Sequence, residues 1–189
     1  MFCIVGLGNP GARYEDTRHN VGFKALDYLC ASCDGNFKEE KNNLVSSIYL
    51  GKDKVILLKP QLYMNKSGDA IWPLLKFYKI EAEHIIVIHD ELDLGQGVVK
   101  AKVGGGAGGH NGVSDIIRII GKNFCRVRIG ISHPRDVDPR IDVSSWVLQT
   151  PESKDLEVLE NCSKRASEFS ADIIKSGLKK AQENFHAQN

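Results

Sequence analysis

Ile85-Ile86-Val87-Ile88-His89-Asp90-Glu91 is an unbroken apolar run that ends in three titratable residues. A run this short and rich in β-branched residues predicts a strand buried on both faces, with its polar tail delivered at the C-terminal end. A second run, Phe2 to Leu7, is closed by Gly6 and Gly8 and predicts a strand of the same kind. Between them, Val21, Phe23, Ala25, Leu26, Leu29 and Cys30 fall at helical spacing, so Val21–Cys33 is expected to be a helix and Asn9–His19 a long strand-to-helix loop. Loops of that length in a compact domain usually carry function.

Working outward, Leu44–Leu50 and Val55–Leu58 predict a hairpin around a four-residue turn, Gly51-Lys52-Asp53-Lys54. Ala70–Tyr78 predicts a helix that Pro73 should bend or cut short, with Asn65-Lys66-Ser67 as capping residues. Val98–Val103 alternates apolar and basic residues as a strand with one exposed face. A glycine loop (104–109), a helix from about Gly112 to Ile120 and a strand over Arg126–Ile131 follow. The segment 135–145 is polar and irregular. Helical periodicity returns from Leu156 to Ile174, and a short helix is expected after Gly177. Strands interleaved with helices predict a single α/β/α domain spanning 1–189 around a twisted mixed sheet, the hairpin supplying its antiparallel part.

Hydrophobic content of 42% and charged content of 26% are those of a globular protein, and no stretch approaches the roughly 20 apolar residues of a membrane span. No membrane contact is therefore expected. The N-terminus lacks a basic region and cleavage site, and the five cysteines are an odd number without a framework, so a reducing, cytoplasmic location is expected. Net charge is +1, yet residues 99–135 hold seven basic side chains against one acid, Asp115. That local excess suits phosphate contact, although such a stretch is commonly only a solvated face.

Gly6-Leu7-Gly8-Asn9-Pro10-Gly11 matches the dinucleotide pattern G-x-G-x-x-G, but a cofactor loop needs its helix to begin at the glycines. Arg13–Arg18 has no helical periodicity, and no acid follows at the end of a second strand. Cys30 and Cys33 lie in or at the end of a predicted helix rather than at its N-terminus, which leaves C-x-x-C without a redox signal. His84, His133 and His186 have no paired ligand spacing, so neither a metal nor another cofactor is implied. No G-x-S-x-G nucleophile elbow occurs. Three asparagines, Asn9, Asn65 and Asn111, each sit beside a strand end or helix start, where an asparagine is commonly a turn or cap residue, but together with His19 and Asp90 they could form a pocket rich in neutral donors. A base, a carboxylate to hold it and neutral donors for an oxyanion are the groups that water-mediated ester cleavage requires.

Five stretches carry a further signal. Val5–Gly11 with Tyr14 and Thr17–Gly22, Lys59-Pro60 with Tyr63–Gly68, His89–Asp93, Gly104–Gly106 with Gly108–Gly112, and Arg128–Ile131 with His133-Pro134 resemble, in order and spacing, the bacterial peptidyl-tRNA hydrolases. The resemblance implies a cofactor-free monomer that cuts the ester between peptide and tRNA. It implies His19 as the base and Asp90 as its orienting carboxylate, with Asn9 and Asn65 on the peptide ester and oxyanion. Tyr14 and Met64 would shape the pocket, and His110 and Asn111 would order water and meet the tRNA end. Lys102 and Arg128 match positions that clamp the tRNA 5′ phosphate. Two departures stand out: Ala107 replaces a common histidine, and Arg135 opens a divergent segment (135–145) within the region expected to gate the cleft (135–150), before C-terminal helices over 151–189. The alternative from another class is a non-catalytic RNA-binding or ribosome-associated protein on the same fold.

Overall fold

The computed structural model describes residues 1–187. The chain opens with β1 (Phe2–Gly6) and, after two 3-10 turns, α1 (Val21–Ser32). A short strand β2 (Lys38–Glu40) leads to the hairpin β3 (Asn43–Leu50) and β4 (Asp53–Pro60). Then come α2 (Ser67–Tyr78), β5 (Ile85–Glu91), β6 (Val99–Val103), α3 (Asn111–Ile120) and β7 (Cys125–Gly130). Three helices close the described chain: α4 (Val143–Leu148), α5 (Ser153–Ser176) and α6 (Leu178–Ala187).

The seven strands form one sheet in the order β2-β3-β4-β1-β5-β7-β6. The centre is parallel, with β1 flanked by β4 and β5, and β5 by β7. The edges are antiparallel, through the hairpin on one side and the β6–β7 pair on the other. The apolar runs are explained by this placement: Ile4, Ile86 and Ile88 turn to one face with α1 and α5, while Cys3, Val5, Ile85 and Val87 turn to the other with α2 and α3. The mixed α/β/α architecture is the one the sequence predicts.

Four local features differ from expectation. The hairpin turn is only Gly51-Lys52, because Leu50 pairs with Asp53; Gly51 takes φ +63°, a conformation glycine adopts without a Cβ penalty. α2 starts at Ser67 and runs through Pro73, which sits with Asp69 on the exposed side, so the backbone acceptor that proline leaves unpaired can meet water. β2 is three exposed residues with no periodicity to read. The polar segment also ends in α4, whose two turns are too short for a periodic signal. Asp142 caps it by accepting from the Ser145 backbone N–H (2.9 Å) and hydroxyl (2.6 Å).

Candidate active site

The turn between β1 and α1 depends on close backbone approach. A Cβ on Gly6 would lie 2.3 Å from the Gly22 carbonyl oxygen, and one on Gly22 would lie 2.4 Å from that of Ile88. The first glycines thus seat α1 against β1 and β5, and α1 begins only at Val21, well past Gly11. A dinucleotide loop runs from its last glycine directly into the α-helix, and this turn does not. What the turn presents instead is Asn9 and His19.

Asn9 is locked from two sides. Its backbone N–H donates to Asn20 Oδ1, and Asn20 Nδ2 donates back to the Asn9 carbonyl, both at 2.9 Å. The Met64 N–H donates to Asn9 Oδ1 at 2.8 Å. Since that contact needs an oxygen, the amide is oriented with Nδ2 as the remaining donor. Asn20, which sequence reasoning quoted but gave no role, is therefore the residue that shapes this turn.

His19 Nδ1 lies 2.9 Å from both carboxylate oxygens of Asp90, and His110 Nε2 lies 2.8 Å from Asp90 Oδ1. A carboxylate only accepts, so both nitrogens carry protons. The other nitrogen of His110 accepts from the Val113 N–H at the start of α3, and it has no lone pair left for chemistry. His19 Nε2 is the unspent base. Burial of Asp90 opposes its charge, but the two imidazoles outweigh this by charge and hydrogen bonds and hold its pKa well below the usual carboxylate range. Beside the pair, His89 donates from Nδ1 to the Asp90 carbonyl at 2.7 Å. Burial keeps it neutral, its pKa pushed down to about 3, with the His110 ring only 5.0 Å away.

These groups open into a cleft of about 490 Å³. Of the residues singled out in the sequence, Asn9, Tyr14, His19, Met64, Asn65, Asp90, His110 and Asn111 all line it. Tyr14 and Tyr63 meet edge to face at its rim, 6.4 Å between centroids. Lys102 and Arg128 do not line it. They project from β6 and β7, on the sheet face shared with Glu91, to which Arg128 is paired at 3.7 Å. Partial burial and the neighbouring Arg128 and Arg126 lower the Lys102 pKa, the sign of a concentrated positive patch.

The cleft's far wall is α4, through Val143, Ser144, Val147 and Leu148. Sequence reasoning missed its anchor. Buried Arg18, the neighbour of His19, lies 3.5 Å over the Trp146 ring and donates to the Trp146 carbonyl and Gln149 Oε1, both at 3.3 Å. Trp146 Nε1 donates to the Ser132 carbonyl at 3.0 Å. A second unexpected gathering is that ligand-type atoms of His19, Asp90 and His110 lie within 4.8 Å of one another, although no sequence spacing foretold a metal cluster. Their mutual hydrogen bonds account for that proximity without a cation.

An imidazole held by a buried carboxylate, in one cleft with neutral amide side chains on an α/β sheet, supplies the groups that water-mediated hydrolysis of a carboxylic ester requires. A family model described as peptidyl-tRNA hydrolase matches residues 3–189. The peptidyl-tRNA hydrolases of Ruthia magnifica and of an Arthrobacter strain are 41% and 42% identical to this chain; each match covers 98% of it, and 97% and 96% of those proteins. The crystal structure of peptidyl-tRNA hydrolase from Acinetobacter baumannii superposes with a TM-score of 0.90 at 37% identity, covering 98% of this chain and 94% of that one. The chain belongs to the peptidyl-tRNA hydrolase family.

Proposed function

We propose that the chain hydrolyses the ester between a peptide and the 3′ end of its tRNA, with His19 as the general base. The observation that carries the mechanism is the double contact of His19 Nδ1 with Asp90, which leaves Nε2 as the free nitrogen of the pair. Water gives its proton to Nε2 as its oxygen attacks the ester carbonyl carbon, and Asp90 stabilises the imidazolium that forms. The oxyanion accepts from Asn9 Nδ2, with Asn65 and Asn111 at the rim holding the peptide backbone and the attacking water. Collapse breaks the bond to the ribose 3′ oxygen, which takes the proton back from His19.

Tyr14, Met64 and His110 shape the pocket, and Lys102 with Arg128 grips a phosphate away from the chemistry. Segment 135–150 gates the cleft, pivoting on the Arg18–Trp146 contact. The enzyme acts as a cytoplasmic monomer without a metal, and no helix among the described residues is long and apolar enough to cross a membrane. Release of the blocked amino acid from N-acetyl-aminoacyl-tRNA, undiminished in EDTA, is the expected result. No release at micromolar enzyme would leave only RNA binding, and loss in EDTA restored by a divalent ion would place a metal in the mechanism.

A further inference from the structure

Arg126 breaks the pattern of its surroundings. It is a cation only 2% exposed, on the same face of β7 as Arg128, and its register partner on β6 is Lys102. Among the described residues no carboxylate forms a contact ion pair with it; burial lowers its pKa, as does Arg128, against a smaller opposing attraction from Glu91. A buried charge without a carboxylate in direct contact is costly and needs another reason to persist. That reason lies in its contacts. Nη1 donates to the Gly106 carbonyl at 2.7 Å, and Nη2 donates to the Gly105 carbonyl.

Those carbonyls sit in a loop whose one side chain, the Ala107 methyl, packs against the apolar cluster under α2 and α3, leaving the glycines before it without side-chain contacts of their own. Gly104, Gly105, Gly108 and Gly109 all have positive φ, a backbone that glycine enters easily and leaves easily. The ends are tied by Gly104 N–H to the Phe124 carbonyl (3.2 Å) and His110 N–H to that of Ala107 (3.0 Å). Between those ends, Arg126 supplies the hydrogen bonds that join the Gly105–Gly106 backbone to the sheet. The next residue out of the loop is His110, which donates to Asp90, and after it comes Asn111 in the cleft.

We propose that Arg126 is a positioning residue for the hydrolytic step, acting through the glycine loop on His110 and Asn111, and not a phosphate ligand like its neighbours Lys102 and Arg128. The inference rests on the hydrolase reading above. Both terminal nitrogens face loop carbonyls beneath the surface, out of reach of a bulky phosphate. A loosened loop lets His110 drift from Asp90, and displacements of about 1 Å near a reacting centre commonly cost on the order of a hundredfold in rate.

The test measures kcat and KM for Arg126→Met, Arg126→Lys, His110→Ala and the double variant Arg126→Met/His110→Ala, with thermal unfolding of each. Two substrates are compared, full-length N-acetyl-aminoacyl-tRNA and an N-acetyl-aminoacyl ester of adenosine, which carries no 5′ phosphate. Arg126→Met is expected to lower kcat about tenfold to a hundredfold on both substrates, with KM within about twofold. Arg126→Lys, which keeps the cation but spans one carbonyl better than two, should fall between it and the wild type. In the His110→Ala background the Arg126 substitution should cost little more, because the path it acts through is already broken. Wild-type rates on the short ester, with loss only on tRNA, would overturn the proposal in favour of a phosphate contact. Losses that simply multiply with His110→Ala and track the unfolding temperature would make Arg126 structural only. Should Arg126→Met fail to fold, Arg126→Lys in the same double-mutant cycle decides the matter. A wild-type enzyme inert on both substrates would instead sink the hydrolase reading itself.

Discussion

Asn9 stands in the wall between two cavities, and they dispose of their buried charges differently. On one side lies the cleft of about 490 Å³; on the other lies a cavity of about 420 Å³ that shares Asn9 and is lined by Lys24, Asp27, Lys59 and Glu160. In the second cavity the charges answer one another. Lys59 Nζ donates to Asp27 at 2.6 Å over the rings of Phe23 and Phe37, and Lys24 donates to Asp16 at 2.6 Å and Glu160 at 3.2 Å. Burial works against the Lys24 charge, but the two carboxylates outweigh it and raise its pKa. In the cleft a buried carboxylate is also satisfied, by His19 and His110, yet the arrangement leaves a base unspent on its outer side. Volume is alike in the two; what differs is whether a reactive lone pair is left over.

The sharpest break in that comparison is His19→Ala, expected to lower kcat by about two to four orders of magnitude with little change in KM. Asp90→Asn should cost less on the same step. A rise in KM at constant kcat would mean that these groups only bind substrate.

Asn9→Ala tests the shared wall. Losing the Nδ2 donor should lower kcat by about a hundredfold, the usual worth of one oxyanion donor. Stranding the Met64 N–H should cost about 1–3 kcal/mol in stability, read by chemical denaturation. If turnover holds while stability falls, Asn9 is a scaffold residue and the donor lies elsewhere.

Acid distinguishes the two sides through His89. Its folded pKa of about 3 lies below the ordinary value of 6.5, so between those values the unfolded chain takes up a proton that the folded chain refuses. The stability of the neutral imidazole is present above pH 6.5 and is lost as pH falls from there towards 3. Unfolding temperature should decline through this window in the wild type and decline less steeply in His89→Asn. Equal slopes would move the acid-sensitive group away from the cleft.

A smaller, substrate-dependent effect is expected outside both cavities. Lys102→Ala and Arg128→Ala should each weaken tRNA binding and reduce its salt dependence by about one counterion per lost contact. Cleavage of a short 3′-end ester should be unchanged. Equal losses on both substrates would indicate damage to the fold. The least effect belongs to Lys24→Met, where turnover should stay within about twofold and the lost surface ion pairs should change stability by about 1 kcal/mol at most. A large drop in kcat there would give the second cavity a role that its ion pairs do not suggest.

The sequence alone determined the central strands and singled out the candidate groups of the cleft. Ile85–Ile88 and Cys3–Val5 are apolar on both faces because their strands have helices on both sides, and such runs are readable without coordinates. The residues at positions 9, 19, 65, 90 and 111, singled out as the types that ester hydrolysis would use, line one cleft. Tertiary structure decided how they meet. His19 and Asp90 are 71 positions apart, and no local periodicity encodes which nitrogen faces the carboxylate. The same holds for the role of Asn20 in fixing Asn9, for the helix packed on Arg18 through Trp146, and for the buried guanidinium of Arg126 under the glycine loop. Each depends on one directional contact between distant segments. Hydrophobic burial acts on faces and repeats, so it leaves a pattern along the chain; a single hydrogen bond or ring contact across the fold leaves none.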